Sequence, residues 1–417
     1  MQYNNMIDRL RAILSRAGIG DYLIREKRTD SRELYFIRRE LDIARSVDSH
    51  DISVRLYRTF SENGAEYRGS GEVLIFASMT DEEIEEKLRL GYDACLYVRD
   101  AAYPPAPAVT EEGTTLECAL GEIARKYADA LFLAETEAGA FINSAEIFTS
   151  LTEHRLVTSH GTDVSWSRLE TTGELVVGCK DGEDVELFDY FSYEGEEYSA
   201  LAERAAQRLS EVRDRSVAVS LPESGEYSVI LEGECVREML GYVLWRANAR
   251  NVYTGYSTAA VGERAGGAVP DITAAPTAPY SGEGIRMREL PLVRDGKHTA
   301  LVGGMRFCSY LGAEPTGEYD KLTADSGNTT LAQMRSGRCL HLVSFSDFQF
   351  DPLDGYFGGE VRLGYLVDGE SVTPVSGFSV SGSYRGLSDS FEFSAERYTD
   401  RTYDGPRYMK IKGVSAN

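Results

Sequence analysis

Residues able to do acid, base or metal chemistry are scattered in this chain. Five histidines occur, His50, His154, His160, His298 and His341, and none lies within a helix at metal-ligand spacing. Cys339 and His341, in "RCLHL", stand two residues apart on one face of an expected strand, and both residue types bind zinc. No second ligand pair accompanies them, so a partly buried strand is the favoured reading. The helix expected over "ECVREMLGYVLWRAN" carries Glu234, Cys235, Glu238 and Trp245 but no histidine. Its Val236, Met239, Leu240, Val243 and Leu244 make a single apolar stripe. Neither G-x-x-x-x-G-K-[ST] nor G-x-S-x-G occurs, so phosphate cradling and serine-hydrolase chemistry have no support. Carboxylate pairs are too numerous in so acidic a chain to single any out.

The elements that must position these residues fall into two groups. Met6, Ile7, Leu10, Ile13 and Leu14 space a first helix closed by Gly18. Four segments then read as strands: "DYLIREKR", "RELYFIRRELDIARSV", "DISVRLYRTF" and "EYRGSGEVLIFAS". "TDEE" sets a capping box, with Thr80 as N-cap and Glu83 three residues on, opening a helix towards Tyr97. The Pro-rich "AAYPPAPAVTEEG" is a connector that cannot be helical. "TLECALGEIARKYADALFLA" and "EEYSALAERAAQRLSEVRDR" are further helices, with strands between them and turns at "HGTD", "TTGE" and "KDGED". "SVAVSLPESGEYSVILEG" reads as a strand pair around a turn.

The fold class expected is α+β in two domains. Residues 1–215 form a mixed domain of sheet and helices, and residues 216–417 a mainly antiparallel β domain opened by one helix. Residues 251 to 285 are rich in Gly, Ala, Pro and Thr, the composition of a functional loop or partner-contacting segment. From 286 onward antiparallel strands are expected, punctuated by "VRDG", "LVGG", "DPLDG", "YFGGE" and "LVDGE". Gly358 and Gly359 read as a tight turn or bulge where another backbone could approach closely.

A length of 417 residues, with 42% hydrophobic and 27% charged, describes a folded two-domain protein. No run of about 18 apolar residues suits a membrane helix, and the start has no signal-peptide pattern. The six cysteines form no C-x-x-C pair, which fits reduced thiols in a cytoplasmic protein. Net charge is −23, from 67 acidic and 44 basic residues, a balance that repels a phosphate backbone and argues against direct nucleic-acid binding.

Beyond about residue 280 three strings follow in order: "SGEGIRMRELPLVRDGKHTALVGGMRFCSYLGAEPTG", "DSGNTTL" and "FDPLDGYFGGEVRLGYLVDGESVTPVSGFSVSG". Together they resemble the TldD/PmbA family, and more closely its PmbA (TldE) branch, whose old label is modulator of DNA gyrase. The N-terminal half fits in its order of elements, with "VRLYRTF" and "GSGEV". The resemblance implies a cytoplasmic dimer in which a TldD subunit and a PmbA subunit make a zinc peptidase acting on unfolded peptides. It also implies, for the TldD branch, H-E-x-x-x-H on the helix opening the C-terminal domain. By register those positions fall at Leu240, Gly241 and Trp245, none of which can ligate zinc or act as base.

The expectation is therefore a subunit with no catalytic residue, metal or cofactor of its own, whose TldD-like partner holds the zinc. It would support proteolysis by completing the substrate tunnel. Gly358, Gly359, Arg362 and Asn328 are the candidate peptide contacts, with strand addition at the glycines. A valine at 359 is expected to harm peptide handling or dimerisation while sparing the fold. The rival reading is a homodimeric, non-enzymatic peptide-binding protein.

Overall fold

The computed structural model describes residues 4–111, 113–135 and 139–417, so Glu112 of the Pro-rich connector lies outside the described residues. The first helix, α1 (Asn4–Arg16), buries Ile7, Leu10, Ile13 and Leu14 and ends where Gly18 turns to a φ of 70°. There the Ile19 N–H donates to the Leu14 carbonyl at 2.9 Å, a Schellman closure. Helix α2 (Asp81–Ala94) begins with the expected capping box. The Thr80 hydroxyl accepts from the Glu83 N–H, and the Glu83 carboxylate accepts from the Thr80 N–H at 2.8 Å.

Both helices pack on a six-stranded antiparallel sheet. Its strands are β1 (Tyr22–Ile37), β2 (Glu40–Glu62), β3 (Ala65–Ile75), β4 (Ala140–Thr158), β5 (Asp163–Cys179) and β6 (Val185–Glu194), in the order β3-β2-β1-β4-β5-β6. Helices α3 (Leu120–Leu133) and α4 (Tyr198–Ser216) share a second core with β4, β5 and β6. Two local expectations fail here. "RELYFIRRELDIARSV" is not one strand but the tip of a hairpin, in which Ile37 pairs with Glu40 and Arg38 takes a φ of 57°. Side chains hold this turn without glycine: the Arg38 guanidinium lies over the Phe141 ring at 3.4 Å, and Arg39 pairs with Glu135 at 2.6 Å. "TTGE" is the interior of β5, not a turn. A Cβ on Gly173 would lie 2.4 Å from the Phe191 ring, so that ring covers the glycine from the neighbouring strand.

Strands from residue 219 onward make two further sheets. The larger closes on itself. Cys339–Asp351 pairs with both Gly225–Glu232 and Tyr356–Asp368, and the circuit continues through Phe378–Ser383 and Tyr408–Ala416. Val219–Ser220 and Gly225–Glu232 are therefore not partners in a hairpin. The first pairs in parallel with Val375–Ser376. The second, with Val229, Ile230 and Leu231 all buried, is a central strand with neighbours on both sides.

Helix α5 (Glu234–Ala247) docks Val236, Met239, Leu240, Val243 and Ala247 into this domain's core, each with no exposed surface. At about 1.5–3 kcal/mol per large buried apolar side chain, this packing outweighs the weak intrinsic stability of a short helix. The Asp295–Gly296 turn of "VRDG" is a tight hairpin with φ values of 49° and 70°. Helices at Met305–Leu311, Leu331–Met334 and Tyr384–Leu387 interrupt the strands expected after 286. Mixed helix and sheet, with strands in the majority, is the α+β class expected. None of the described helices is long and apolar enough to cross a membrane.

Candidate functional site

A cleft of about 490 Å³ opens where α5 begins, between α4 and β6 on one side and the Cys339–Asp351 strand on the other. Three features of the sequence build it. Gly233, at a φ of 54°, turns the chain from strand into α5, so Glu234, Arg237 and Glu238 face the opening. Helix α4 spaces Arg204, Arg208 and Glu211 along one polar stripe beside its apolar one. The third wall is Val343–Phe348, where the ladder to Tyr356–Asp368 shifts register three times and leaves Val343 and Ser346 without a direct partner. Gly225–Glu232 pairs with this strand only at Leu340 and His341. Among the described residues, the outer backbone edge of 343–348 is therefore unpaired.

Ion pairs from distant segments meet at the cleft floor. Asp189 pairs with Arg204 at 2.6 Å and with Arg208 at 3.1 Å, and Arg208 continues to Glu211 at 2.6 Å. Arg204 also donates to the Tyr398 hydroxyl at 2.8 Å and pairs with Glu234 at 3.1 Å. Glu232 receives Arg407 at 2.7 Å and Gln207 at 3.2 Å. Burial alone would raise the Asp189 carboxyl, but the charges of Arg208 and Arg204 bring it down to about 2. Glu232 behaves likewise. Burial opposes ionisation, and His341 with Arg407 overcomes it, to about 2. Glu238 moves the other way: burial raises it, Arg237 offsets part of that, and Glu234 and Asp347 add to it.

Among the described residues no histidine lines the cleft. Cys235 packs against the core beneath Glu234 and Glu238, where burial and those charges push its thiol far up and keep it from being a nucleophile. His341 is fully engaged nearby. Arginine only donates, so the Arg335 contact at 2.6 Å makes Nδ1 an acceptor, and Nε2–H donates to Glu232 at 3.1 Å. Neither nitrogen keeps a lone pair for a metal, and Cys339 is buried in a small cluster with Met334, Val367 and Tyr408. Among the described residues no three His, Cys, Asp or Glu side chains are placed to hold a metal ion.

The candidate peptide contacts are not brought together. Gly358 and Gly359 lie inside a strand paired on both sides, so neither offers a turn or a free edge, and the turn falls at Gly355 instead. Their close approaches are internal: a Cβ at 359 would sit 2.3 Å from the Asp347 carbonyl, and one at 358 would sit 2.6 Å from that of Val380. Valine at 359 would thus strike the fold itself. Arg362 is half-exposed beside Glu360 at 3.5 Å, and Asn328 stands exposed on a separate loop. Leu240 is buried, Gly241 faces open space, and Trp245 stacks on Tyr242 with ring centres 6.1 Å apart. Sequence reasoning missed Asp189, Arg204, Arg208, Glu232 and Arg407. Only the helical spacing of Arg204, Arg208 and Glu211 carried a readable signal.

Residues 224–416 match the family described as the PmbA/TldA metallopeptidase C-terminal domain. No curated protein matches the sequence. Among solved structures, TldE from Thermococcus kodakarensis is 16% identical and superposes with a TM-score of 0.79 over 98% of this chain and 99% of that one. A protein from Thermotoga maritima designated a modulator of a DNA gyrase is 15% identical, with a TM-score of 0.80 over all of both chains. A Bacteroides thetaiotaomicron protein of the same designation is 13% identical, with a TM-score of 0.77 and full coverage of both chains. At such identities the likeness to these structures is one of fold. Residues 224–416 thus carry the C-terminal domain of the PmbA/TldA metallopeptidase family, and the whole length of the chain shares the fold of TldE.

Proposed function

We propose that this chain is a PmbA/TldE-type cytoplasmic subunit that lacks the zinc motif and supports hydrolysis of unfolded peptides by a TldD-like metallopeptidase partner. The observation that carries this reading is the surface of α5. At the motif positions stand a core leucine, a glycine facing open space and a stacked tryptophan, which offer zinc no ligand and water no base. Zinc does not fit these residues, and no step in this chain is routed through it. What the chain offers a peptide is backbone. The unpaired edge at Val343–Phe348 lies in the cleft beside Glu234, Arg237 and Glu238, where an extended segment can add as a strand without regard to its sequence.

Mixing the purified chain with a TldD-type subunit tests the pairing. Light scattering after gel filtration should give a stable complex of the two, and that complex should bind an unstructured peptide. The same peptide with alternate amides N-methylated should bind at least tenfold more weakly, because strand addition uses those N–H groups. A chain that stays with itself and forms no such complex would overturn the pairing and leave the homodimeric peptide-binding reading. Equal binding of the methylated peptide would overturn strand addition.

A further inference from the structure

A second pocket, of about 330 Å³, lies where the first sheet meets the loops around Gly282 and Gly303. Arg25, Arg55, Arg250 and Arg306 all line it, in a chain whose net charge is −23. Two of the four are neutralised: Arg25 by Glu72 at 2.9 Å, Arg306 by Asp100. Arg55 is left over for a structural reason. Glu72 stands directly across the β2–β3 ladder from it, but the Glu72 carboxylate is turned to Arg25. Arg250, exposed in the short helix Ala249–Tyr253 that Asn248 caps, likewise has no carboxylate within ion-pair distance among the described residues. Among the described residues, neither acid at the pocket forms an ion pair with Arg55 or Arg250. Glu283 is turned towards Met305, whose N–H it accepts at 2.7 Å, an approach that the missing Cβ of Gly304 permits. Glu318 is exposed and, among the described residues, is in no ion pair with either guanidinium.

Two guanidiniums without an ion-pair partner, in one concavity, are the donor set that takes a carboxylate or phosphate oxygen. The neighbouring surface distinguishes the two. Arg25, Ser281 and Gly282 are shared with an adjoining hollow of about 380 Å³ whose walls include Leu74, Ile75, Phe76, Leu156 and Trp166. Leu74 and Phe76 are each 58% exposed. A free inorganic anion has no use for such walls, whereas the end of a peptide chain has both a carboxylate and a side chain.

We propose that Arg55 and Arg250 form a binding site for the terminal carboxylate of a peptide, with its last apolar side chain in the adjoining hollow. The site is separate from the α5 cleft and needs no partner subunit. The test is fluorescence anisotropy of the full chain with a labelled, unstructured hexapeptide ending in leucine, as the free acid and as the amide. The acid should bind at least tenfold more tightly than the amide, and more tightly than an acid ending in glycine. The double variant Arg55→Gln, Arg250→Gln should bind acid and amide alike while keeping the wild-type melting temperature. Equal binding of acid and amide to the wild type overturns the proposal whether or not the variant folds. So does an acid preference that survives the double substitution. Displacement by millimolar inorganic phosphate with no preference for leucine over glycine would make this a free-anion site and also overturn it.

Discussion

Gly241 and Gly359 make opposite demands at the residue scale. A Cβ at 241 would meet nothing within 4 Å, and the position lies in the middle of α5. There glycine only costs the helix conformational entropy. Gly241→Ala should therefore stabilise the protein by about 0.5–1 kcal/mol. At 359 the new Cβ would meet a backbone carbonyl of the next strand at 2.3 Å and the Phe345 ring at 3.0 Å. Gly359→Val should destabilise by about 1–3 kcal/mol or more, with loss of soluble protein. Urea denaturation of both variants checks the pair, and a Gly359→Val protein of wild-type stability would contradict the crowding. The sequence signals that glycines matter near 358 without saying whether the close approach is to a ligand or to the protein's own strands. Only the register of three strands settles that.

At the scale of elements, the α4 stripe, Gly225–Glu232 and the Arg407 segment are tied by charge. Glu232→Gln would leave Arg407 without its anion in a largely buried setting and remove the carboxylate that accepts from His341, a loss of about 3–5 kcal/mol at neutral pH. The sign of the pH dependence follows from the lowered carboxyl. Its stabilisation is complete above about 4.5, the ordinary carboxyl value, and fades as pH falls towards about 2. The stability gap between wild type and Glu232→Gln should thus narrow steadily below pH 4.5. A gap that stays constant in denaturant titrations down to pH 3 would contradict the network.

Thr80 and Glu83, three residues apart, specify their cap locally, and the apolar stripe of α5 is periodic, so both could be read from the sequence. The Arg38–Arg39 turn has no glycine or asparagine, and its support comes from Phe141 and Glu135 across the sheet. Arg407 and Gln207 lie 200 residues apart, so nothing local announces their contact.

At the scale of the whole molecule, the strings from about residue 280 carried the family, while the cleft draws on residues from 188 to 407 and had to be assembled by the fold. The order of elements foretold the α+β class. It could not foretell that the larger C-terminal sheet closes on itself and leaves 343–348 as an open edge. In the proposed function this chain handles peptide while the metal chemistry belongs to its partner. The direct measurement is the rate of cleavage of an unstructured peptide by the chain alone, by a TldD-type subunit alone and by the two together, each with and without a zinc chelator. No cleavage is expected from this chain alone, and chelator-sensitive cleavage is expected from the mixture. Chelator-sensitive cleavage by this chain alone would contradict the proposed function.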